Sequence, residues 1–518
     1  MPIKRPATLS PGFHNPPTHG ECRPVPLNFD NSYARELPQA CVPWRAQASP
    51  RPSELFWNVD LASTLDAGMS DWDLAQREAV FGAVEVPEGA QPVAQAYAGH
   101  QFGGFSAQLG DGRALLLGEL MDRQGQRVDL AFKGSGRTPF ARGGDGKAAV
   151  GPMLREVLIG EALHALGIPS TRALAVVATG EWVARDRALP GAILTRVAHS
   201  HLRVGTFQYF AARGDEAGLQ RLLDYTVRRH PPTPACFEEA QGDAALALLM
   251  AVLQRQAQLV AQWMGVGFIH GVMNTDNMSL SGQSIDFGPC AFMEAHDPGT
   301  VYSSIDHHGR YAYGRQPAIA QWNLARLAEA LLPVMQGPQE QRVEAATRVI
   351  ESFGAAFDEA MAAVWRRKLG WPDVAEPEVV RAFAQDWQAL LQAHQVDHTL
   401  GWWGLVDTVQ GDPQALTARF GEGAAAAQQW LQRWQAKAQS AGWAIDVDIL
   451  KLANPAIIPR NHRVEAALQA ASDEGDLQPF ESLLNAVRQP WSEDPALRPY
   501  AQAAPPEVAA SHRTFCGT

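Results

Sequence analysis

The chain has 518 residues, of which 46% are hydrophobic and 19% are charged, and this composition excludes an intrinsically disordered protein. Its formal net charge of -12 argues against a general nucleic-acid binder, because such proteins carry a basic surplus that tracks phosphates. A local basic cleft remains compatible with this charge.

Five cysteines are scattered along the chain without a paired C-x-x-C motif, so neither a zinc site nor a secreted disulfide scaffold is indicated. No apolar run approaches the ~20 residues needed to cross a bilayer, and residues 1–26 lack the apolar segment of a secretory signal. We therefore expect a cytoplasmic monomer without nucleic-acid or membrane partners. A short organelle presequence beginning near Lys4 is the weaker alternative.

The first segment, residues 1 to about 50, is rich in Pro, Asn and Arg and has weak periodicity, which predicts an extended arm on the core. Residues 54–81 carry apolar side chains at helical spacing. We therefore assign residues 1–80 to an N-terminal arm and helix packed on the core.

Residues 95–119 contain apolar segments on either side of Gly110-Asp111-Gly112, a pattern that predicts strand, glycine turn and strand. A plain hairpin turn is enough to explain an isolated Gly-Asp-Gly. The sharper interpretation is a phosphate cradle, in which Gly110 and Gly112 let backbone N–H groups approach a phosphate and Arg113 adds positive charge.

Residues 127–133 alternate apolar and polar side chains and end in Lys133 before a glycine turn. This pattern resembles the strand lysine that holds nucleotide phosphates in kinases. A glycine-rich, positively charged loop follows at residues 137–147 and contains Asp145 and Gly146.

A helix is predicted at residues 152–166, with proline in its first turn and glycine after its end. It carries Glu156 and Glu161, and either glutamate could pair with Lys133 to fix that side chain. The alternative for each is a solvated helical glutamate, and the pattern does not choose between the two residues.

Two strands are then predicted, at residues 173–178 and 192–196. Arg196 and Arg203 lie seven residues apart, so they would share a face if this stretch were helical. Together they could clamp a phosphate, whereas singly each fits a surface position.

Long Ala/Leu-rich helical periodicity at residues 243–264 leads into residues 270–277 (HGVMNTDN), followed by Asp286-Phe287-Gly288. The amide of Asn277 and the carboxylate of Asp286 suit a magnesium ion that holds nucleotide phosphates, because that ion takes oxygen ligands. Manganese is an alternative ion. Residues 316–500 are almost wholly helical in pattern, with tryptophans that we expect in the core.

The order of these elements is that of a protein kinase: glycine turn, strand lysine, helix glutamate, His-initiated loop ending in Asn, then Asp-Phe-Gly. We therefore expect an α+β, kinase-like two-lobe fold. It would have a small β-rich N-lobe at residues 81–205, a large helical C-lobe at residues 206–335, and a helical C-terminal extension with a Cys-containing tail at residues 336–518.

One departure from kinases is plain. The kinase catalytic loop reads H-R-D-x-x-x-x-N, and Val272 stands here where the proton-accepting aspartate would be. The nearest carboxylate is Asp276, immediately before Asn277.

Several long motifs in this order resemble the selenoprotein O family, also called the YdiU family, and they lie at residues 97–103, 108–113, 132–139, 270–277, 285–289 and 306–311. The resemblance runs from about residue 27 to the C-terminus. It implies a pseudokinase fold that transfers AMP from ATP to Ser, Thr or Tyr hydroxyls of proteins and releases pyrophosphate. The nucleotide would be inverted relative to kinases.

The resemblance also implies roles for single residues. Asp276 would be the proton acceptor, Glu156 would hold Lys133, and Asn277 with Asp286 would ligate magnesium. The nucleotide would be bound by Gly110, Gly112, Arg113, Lys133, Asp145, Gly146, Arg196 and Arg203.

Two other functions stay open. One is ordinary protein phosphorylation from the γ-phosphate, which Val272 disfavours. The other is a nucleotide-binding scaffold without chemistry, which the joint retention of Lys133, Asn277 and Asp286 disfavours.

Cys516 stands third from the end, and a selenocysteine or cysteine near the C-terminus is common in the family. It is therefore a candidate redox element that limits access to the cleft, with an inert thiol as the alternative. Cys290 is a conceivable disulfide partner or simply a core residue.

Overall fold

A computed structural model describes residues 27–65 and 68–515 of the chain. Eleven strands lie in these residues, nine of them before residue 200. They are β1 Cys41–Pro43, β2 Ser53–Trp57, β3 Val93–Gln95, β4 Gly99–Gln101, β5 Gly104–Ser106, β6 Ala114–Met121, β7 Arg127–Lys133, β8 Arg172–Ala184, β9 Ala188–Ala198, β10 Phe268–Ile269 and β11 Ala291–Phe292.

Helices dominate after β9. The α-helices of the described residues are α1 Ser32–Glu36, α2 Val59–Thr64, α3 Leu74–Phe81, α4 Val150–Ala165, α5 Val204–Ala211, α6 Glu216–Arg229, α7 Pro234–Glu239, α8 Ala244–Val266, α9 Gln316–Leu331, α10 Gln339–Glu351, α11 Phe353–Lys368, α12 Pro377–Ala393, α13 His398–Val409, α14 Pro413–Thr417, α15 Ala424–Ser440, α16 Val447–Ala453, α17 Asn461–Gln469, α18 Gln478–Val487, α19 Arg498–Ala501 and α20 Pro506–Ser511.

Seven strands form one antiparallel sheet in the order β1-β3-β6-β7-β9-β8-β2. The central strands β6 and β7 are almost fully buried, as expected for strands covered on both faces. Both edge strands, β1 and β2, come from the segment predicted as an arm and helix. The helical pattern predicted for residues 54–81 is therefore wrong over residues 54–57, which belong to the strand Ser53–Trp57.

The register of the sheet brings two basic side chains to one face. Lys133 pairs with Leu194, and Ala131 pairs with Arg196. Residues directly opposite in an antiparallel pair share a face, as do residues two apart on one strand. Lys133 and Arg196 therefore emerge on the same side of the sheet, the side on which Leu194 packs against α4.

α4 fills the space between this sheet face and the C-terminal helices. Leu154 and Val157 of α4 share one apolar cluster with Leu194 of the sheet, Leu468 of α17 and Phe480 of α18. A helix that is apolar on nearly all sides is stable only when it is covered on all of them. The helical C-terminal part therefore supports α4 from behind.

A separate two-stranded hairpin, β4–β5, precedes the sheet strand β6. Its turn is Phe102-Gly103, where φ is 52° and 86°, and positive φ at both positions is typical of a type I′ turn. The hairpin turn predicted at residues 110–112 is therefore wrong, because those residues form the loop that leads into β6.

The helical part has its own tryptophan-rich core, as predicted. Its largest fully buried side chains belong to one cluster and are Trp371, Trp387, Trp402, Trp430 and Trp434. A mixed α/β architecture with an N-terminal antiparallel sheet and a large helical part is thus established. The kinase-like arrangement of two lobes and the four-part division of the chain stay predictions.

α8 is the one helix of the described residues that is long and apolar enough to cross a membrane, with a mean hydropathy of 1.4. However, 72% of its most apolar window is buried within the protein, where α9 and α11 pack against it. Length and composition alone are weak evidence for a membrane span, since core helices pass the same test.

Arg460, at the start of α17, ties the C-terminal helices to the rest of the helical part. Its side chain is fully buried, and Nη1 lies 2.7 Å from Glu294 Oε2 and 2.6 Å from Asp397 Oδ2. A cation removed from such a site leaves two carboxylates without their partner.

We expect Arg460→Leu to destabilise the protein by about 3–5 kcal/mol, the usual cost of breaking a buried ion pair. Urea unfolding of the variant and the parent measures this difference. Arg433→Leu is the matched control, because Arg433 and Asp386 form an exposed pair worth about 1 kcal/mol or less. Equal losses in the two variants would contradict the role of Arg460.

Two buried histidines make stability depend on pH. His296 and His398 share a hydrogen bond of 3.0 Å between their Nδ1 atoms. Burial lowers the pKa of His296 to about 4 and that of His398 well below its usual range. In the unfolded chain both rings titrate near ~6.5, so below that pH the unfolded state binds protons that the native state does not.

The two histidines should therefore not lower the free energy of unfolding above about pH 6.5. Below that pH, the free energy of unfolding should fall toward pH 4, by up to about 1.4 kcal/mol per pH unit for each ring. Denaturant unfolding at several pH values measures the slope. His296→Asn should reduce the slope, and the same substitution at the exposed His307 should not. An unchanged slope in His296→Asn would refute the assignment.

Candidate functional site

A cleft of about 450 Å³ lies between the sheet and the loops that follow α8 and β9. All twelve site residues predicted within the described chain line it: Gly110, Gly112, Arg113, Lys133, Asp145, Gly146, Glu156, Arg196, Arg203, Asp276, Asn277 and Asp286. Seven basic side chains face five acidic ones there, so the cleft is locally basic in a chain whose net charge is -12.

Four charged side chains form one buried cluster on the floor of the cleft. Lys133 Nζ pairs with Glu156 Oε1 and lies 2.6 Å from Asp286 Oδ1. Arg196 Nη2 lies 2.6 Å from Glu156 Oε2 and 2.7 Å from Asp286 Oδ1. Each cation thus contacts both anions, which offsets the desolvation cost of the buried charges.

The structure separates the two glutamates of α4. Glu156 contacts Lys133, whereas Glu161 is 2.8 Å from Arg172 Nη2 and 2.7 Å from Arg488 Nη2. Five residues along a helix correspond to well over one turn, so the two side chains point in different directions. Glu156 is therefore the lysine partner, and Glu161 joins α4 to the sheet and to the end of α18.

Asp286 is held from three sides. Burial opposes its ionisation, but Lys133, Arg196 and Arg203 together hold the pKa of its carboxyl well below the usual range. Arg203 Nη1 is 3.4 Å from Asp286 Oδ2 and donates to the carbonyl oxygen of Asp276 at 2.8 Å. The φ of Asp286 is 65°, a left-handed conformation that persists in a non-glycine residue where surrounding contacts impose it.

Asp276 lies on the opposite wall, in a 3-10 turn at Thr275–Asn277. Burial raises the pKa of its carboxyl, and Arg203 and Gln101 oppose that shift. Oδ2 accepts a hydrogen bond of 3.1 Å from Gln101 Nε2. Oδ1 is buried and has no hydrogen-bond partner within residues 27–65 and 68–515.

The glycines predicted as a phosphate cradle lie against an aromatic side chain. Gly110 has φ of 136°, and a Cβ there would lie 2.5 Å from the Phe140 ring. Asp111 points away from solvent and accepts from the Gln95 N–H at 3.0 Å. The loop therefore needs glycine for a close approach to Phe140, and this packing is independent of any ligand.

The basic loop closes one end of the cleft. At Gly146, φ is 70° and a Cβ would lie 2.2 Å from the Gly136 carbonyl oxygen. Asp145 Oδ2 lies 2.8 Å from Arg185 Nη1, which together with its other hydrogen bonds holds the pKa of Asp145 below its usual value. Asp145 is thus a loop-fixing residue in this structure.

Several residues in the lining were not assigned a role from the sequence. Arg142 and Lys147 belong to the loop already noted as positively charged, but the sequence gives no orientation for either side chain. Tyr97 lies under Arg203, whose guanidinium is 4.7 Å from the ring centroid. Gln101, which donates to Asp276, also had no role assigned from the sequence. Tyr97 and Gln101 both occur in the motif at residues 97–103, which is the signal that could have indicated them.

Two oxygen donors suit a divalent cation. Asn277 Nδ2 donates to the Val272 carbonyl oxygen at 3.0 Å, which leaves the amide oxygen for a metal. Among the described residues, Asp286 Oδ2 has the long hydrogen bond to Arg203 described above and no other. Within the described chain, no three His, Cys, Asp or Glu residues cluster as metal ligands. One carboxylate and one amide fit magnesium, which usually completes its shell with phosphates and water.

The cysteine predictions have different outcomes. Cys516 lies outside the described residues. Cys290 is buried and forms no disulfide in the part of the chain that the structure describes, and burial raises the pKa of its thiol to about 12. Two residues before Cys516, Thr514 Oγ1 donates to the Pro289 carbonyl oxygen at 2.6 Å.

A basic floor, a carboxylate on the opposite wall and two oxygen donors define an enzyme-like cleft for a phosphate-bearing ligand. Residues 25–488 match the SelO family, described as protein adenylyltransferase SelO. The chain is 55% identical over 485 residues to the protein nucleotidyltransferase YdiU of Chromobacterium violaceum, covering 93% of this chain and 100% of that protein.

Two further relatives carry the same name. The protein of Cereibacter sphaeroides is 53% identical over 495 residues, covering 95% of this chain and 100% of the relative. That of a Mycobacterium species is 51% identical over 494 residues, covering 95% and 99%. The chain therefore belongs to the SelO (YdiU) family of nucleotidyltransferases, and its family membership implies a nucleotide substrate such as ATP.

The two glutamates of α4 provide a test of the site. Glu156→Gln should lower the rate of nucleotide transfer by about 10²-fold, because a small displacement of Lys133 is enough for such a loss. Glu161→Gln should leave the rate per folded molecule unchanged but destabilise the protein by about 3 kcal/mol, since two partly buried arginines lose their buried carboxylate partner.

Initial rates with labelled ATP and urea unfolding of both variants measure the two effects. A loss of transfer in Glu161→Gln that matches the loss in Glu156→Gln would show that α4 acts only as a packing element.

Proposed function

We propose that this protein transfers AMP from ATP to Ser, Thr or Tyr hydroxyls of other proteins and releases pyrophosphate. It would do so with a kinase-like two-lobe pseudokinase fold and an inverted nucleotide. The arrangement of charge in the cleft carries the proposal. Its floor, with Lys133, Arg196 and the adjacent Arg203, faces Asp276. Val272 lies where a kinase would have its base.

The floor supports the orientation of the nucleotide. With Arg203, which contacts Asp286, three cations there face only two carboxylates, so one positive charge is left for an anionic ligand. A triphosphate tail placed on this floor would have its β- and γ-phosphates neutralised, which stabilises the pyrophosphate that leaves. The α-phosphorus would then face the wall that carries Asp276.

Asp276 supplies the proton acceptor in this scheme. The acceptor hydroxyl gives its proton to the Asp276 carboxylate, and its oxygen forms a bond to the α-phosphorus. The bond from that phosphorus to the bridging oxygen breaks, and pyrophosphate carries away the electron pair. General-base assistance of this kind contributes about 10²–10⁴-fold to a rate.

Asn277 and Asp286 would hold magnesium, with manganese as an alternative. When bound, the cation draws negative charge from the phosphates of the leaving group. Lys133 and Arg196 keep Asp286 ionised and oriented toward the cleft, which is the form a metal ligand needs.

We further propose that the protein acts as a cytoplasmic monomer on protein substrates. The net charge of -12 supports partners other than nucleic acid, because a phosphate backbone would be repelled outside the basic cleft.

Labelled ATP tests the transfer directly. Label on the α-phosphate should appear on protein, and label on the γ-phosphate should not, with casein as a hydroxyl-rich acceptor beside the enzyme itself. Mass spectrometry of the products distinguishes added AMP from added phosphate. Transfer of the γ-label would make the protein a kinase.

Asp276→Ala should lower AMP transfer by about 10²–10⁴-fold, the contribution of a general base, while ATP binding persists. Asp224→Ala, on the exposed face of α6, is the control and should retain the parent rate. Parent-like transfer by Asp276→Ala would remove that residue from the chemistry.

A further inference from the structure

Three consecutive residues of the β4–β5 hairpin contact the loop at residues 270–277, which we call the catalytic loop. The His100 N–H donates to Thr275 Oγ1 at 2.7 Å. The next residue, Gln101, donates through Nε2 to Asp276 Oδ2 at 3.1 Å. The Phe102 N–H, one further along, donates to Asn274 Oδ1 at 3.1 Å. Three consecutive hairpin residues thus bind three consecutive loop residues.

The hairpin is fixed at its root as well as at its tip. The Ala98 N–H donates to the Gly205 carbonyl oxygen of α5 at 3.0 Å, and Gln208 Nε2 lies 2.9 Å from His100 Nδ1. At the tip, Phe102 has φ of 52°, and its N–H is also 3.2 Å from the hydroxyl oxygen of Tyr311. An aromatic residue adopts this conformation where its neighbours impose it.

Gly99 allows the hairpin to come this close. A Cβ at that position would lie 3.0 Å from Thr275 Oγ1 and 3.3 Å from Asp276 Oδ1. The backbone of β4 is therefore in close contact with Thr275 and Asp276.

Only one of the three contacts depends on the identity of the hairpin residue. Backbone N–H groups make the contacts at residues 100 and 102, and almost any residue supplies such a group. At residue 101 a side-chain amide reaches the carboxylate. The contact leaves Oδ1 of Asp276 without a partner in the described chain, so the two oxygens are in different environments.

We infer that Gln101 is a positioning residue, which holds Asp276 Oδ2 and so fixes the orientation of the carboxylate before the acceptor hydroxyl arrives. This inference rests on the proposed function, in which Asp276 accepts the proton. A carboxylate that rotates about its terminal torsion presents its oxygens in turn, because that torsion is broad. Fixing one oxygen removes this freedom before the acceptor arrives.

Gln101→Leu tests the inference, because leucine has a similar size and cannot donate a hydrogen bond. We expect kcat for AMP transfer to casein to fall at least about tenfold, with the KM for ATP within about twofold of the parent. Gln101→Lys, which keeps a donor at this position, should lose less than Gln101→Leu. Gln108→Leu, the same substitution at an exposed position just past the hairpin, should behave like the parent.

A double-mutant cycle separates positioning from a structural effect. In the Asp276→Ala background, Gln101→Leu should cause no further loss, since the group that it positions is absent. An equal loss in both backgrounds, or a lysine variant no better than the leucine variant, would overturn the inference. Thermal unfolding and ATP titration of each variant confirm that the fold and nucleotide site are intact.

The outcomes also distinguish this inference from the proposed function. If Asp276→Ala loses transfer while Gln101→Leu keeps the parent kcat, the inference fails and the proposed function stands. If Asp276→Ala keeps the parent rate, the assignment of the proton acceptor fails first.

Discussion

The buried charge cluster at the floor of the cleft is the constraint on which the rest of the structure depends. Lys133 and Arg196 come from adjacent strands, Glu156 from α4, and Asp286 from the loop after β10. A buried charge is tolerated only when it is paired at close range. The sheet, the helix and the loop must therefore take up fixed relative positions, and the cleft is the space that remains among them.

The position of α4 in turn depends on parts of the chain that never reach the cleft. Glu161 joins this helix to Arg172 of β8 and to Arg488 beyond α18. Arg155 donates to the Cys290 carbonyl oxygen at 2.7 Å and pairs with Glu465 of α17. The C-terminal helices thus act as a support that keeps α4, and with it Glu156, against the sheet. A segment more than 300 residues away along the chain fixes a side chain in the site.

The cleft has two walls with different properties. With the adjacent Arg203, its floor carries three cations and two carboxylates and so suits an anionic ligand. The wall formed by the catalytic loop carries Asp276 and is held by backbone and side-chain donors of the β4–β5 hairpin. In the proposed function, the floor binds the nucleotide and the wall takes up the proton. Val272 separates this arrangement from that of a kinase.

The sequence by itself predicted the candidate residues of the cleft, because strand alternation, glycine turns and the order of motifs are local properties. Lys133, Asp276, Asn277 and Asp286 were all identifiable in that way, and so were the central strands and the helical second half. The features that the sequence predicted wrongly or left undecided are those that depend on contacts with residues far away along the chain. The apolar spacing near Ser53–Trp57 fits a helix locally, but pairing with β8 makes it an edge strand.

The residue pattern alone did not choose between Glu156 and Glu161, and the family resemblance implied Glu156. The tertiary structure shows the reason, because Glu156 lies across from Lys133 and Glu161 across from two arginines. It also showed that Gly110 and Gly146 accommodate neighbouring chain segments, and that the hairpin turn is at Phe102-Gly103. The motif at residues 97–103 includes Gln101, but the contact of this residue with Asp276 could not be seen in the sequence. A hydrogen bond between residues 175 positions apart is set by the packing of α5 and the catalytic loop, and no local pattern records it.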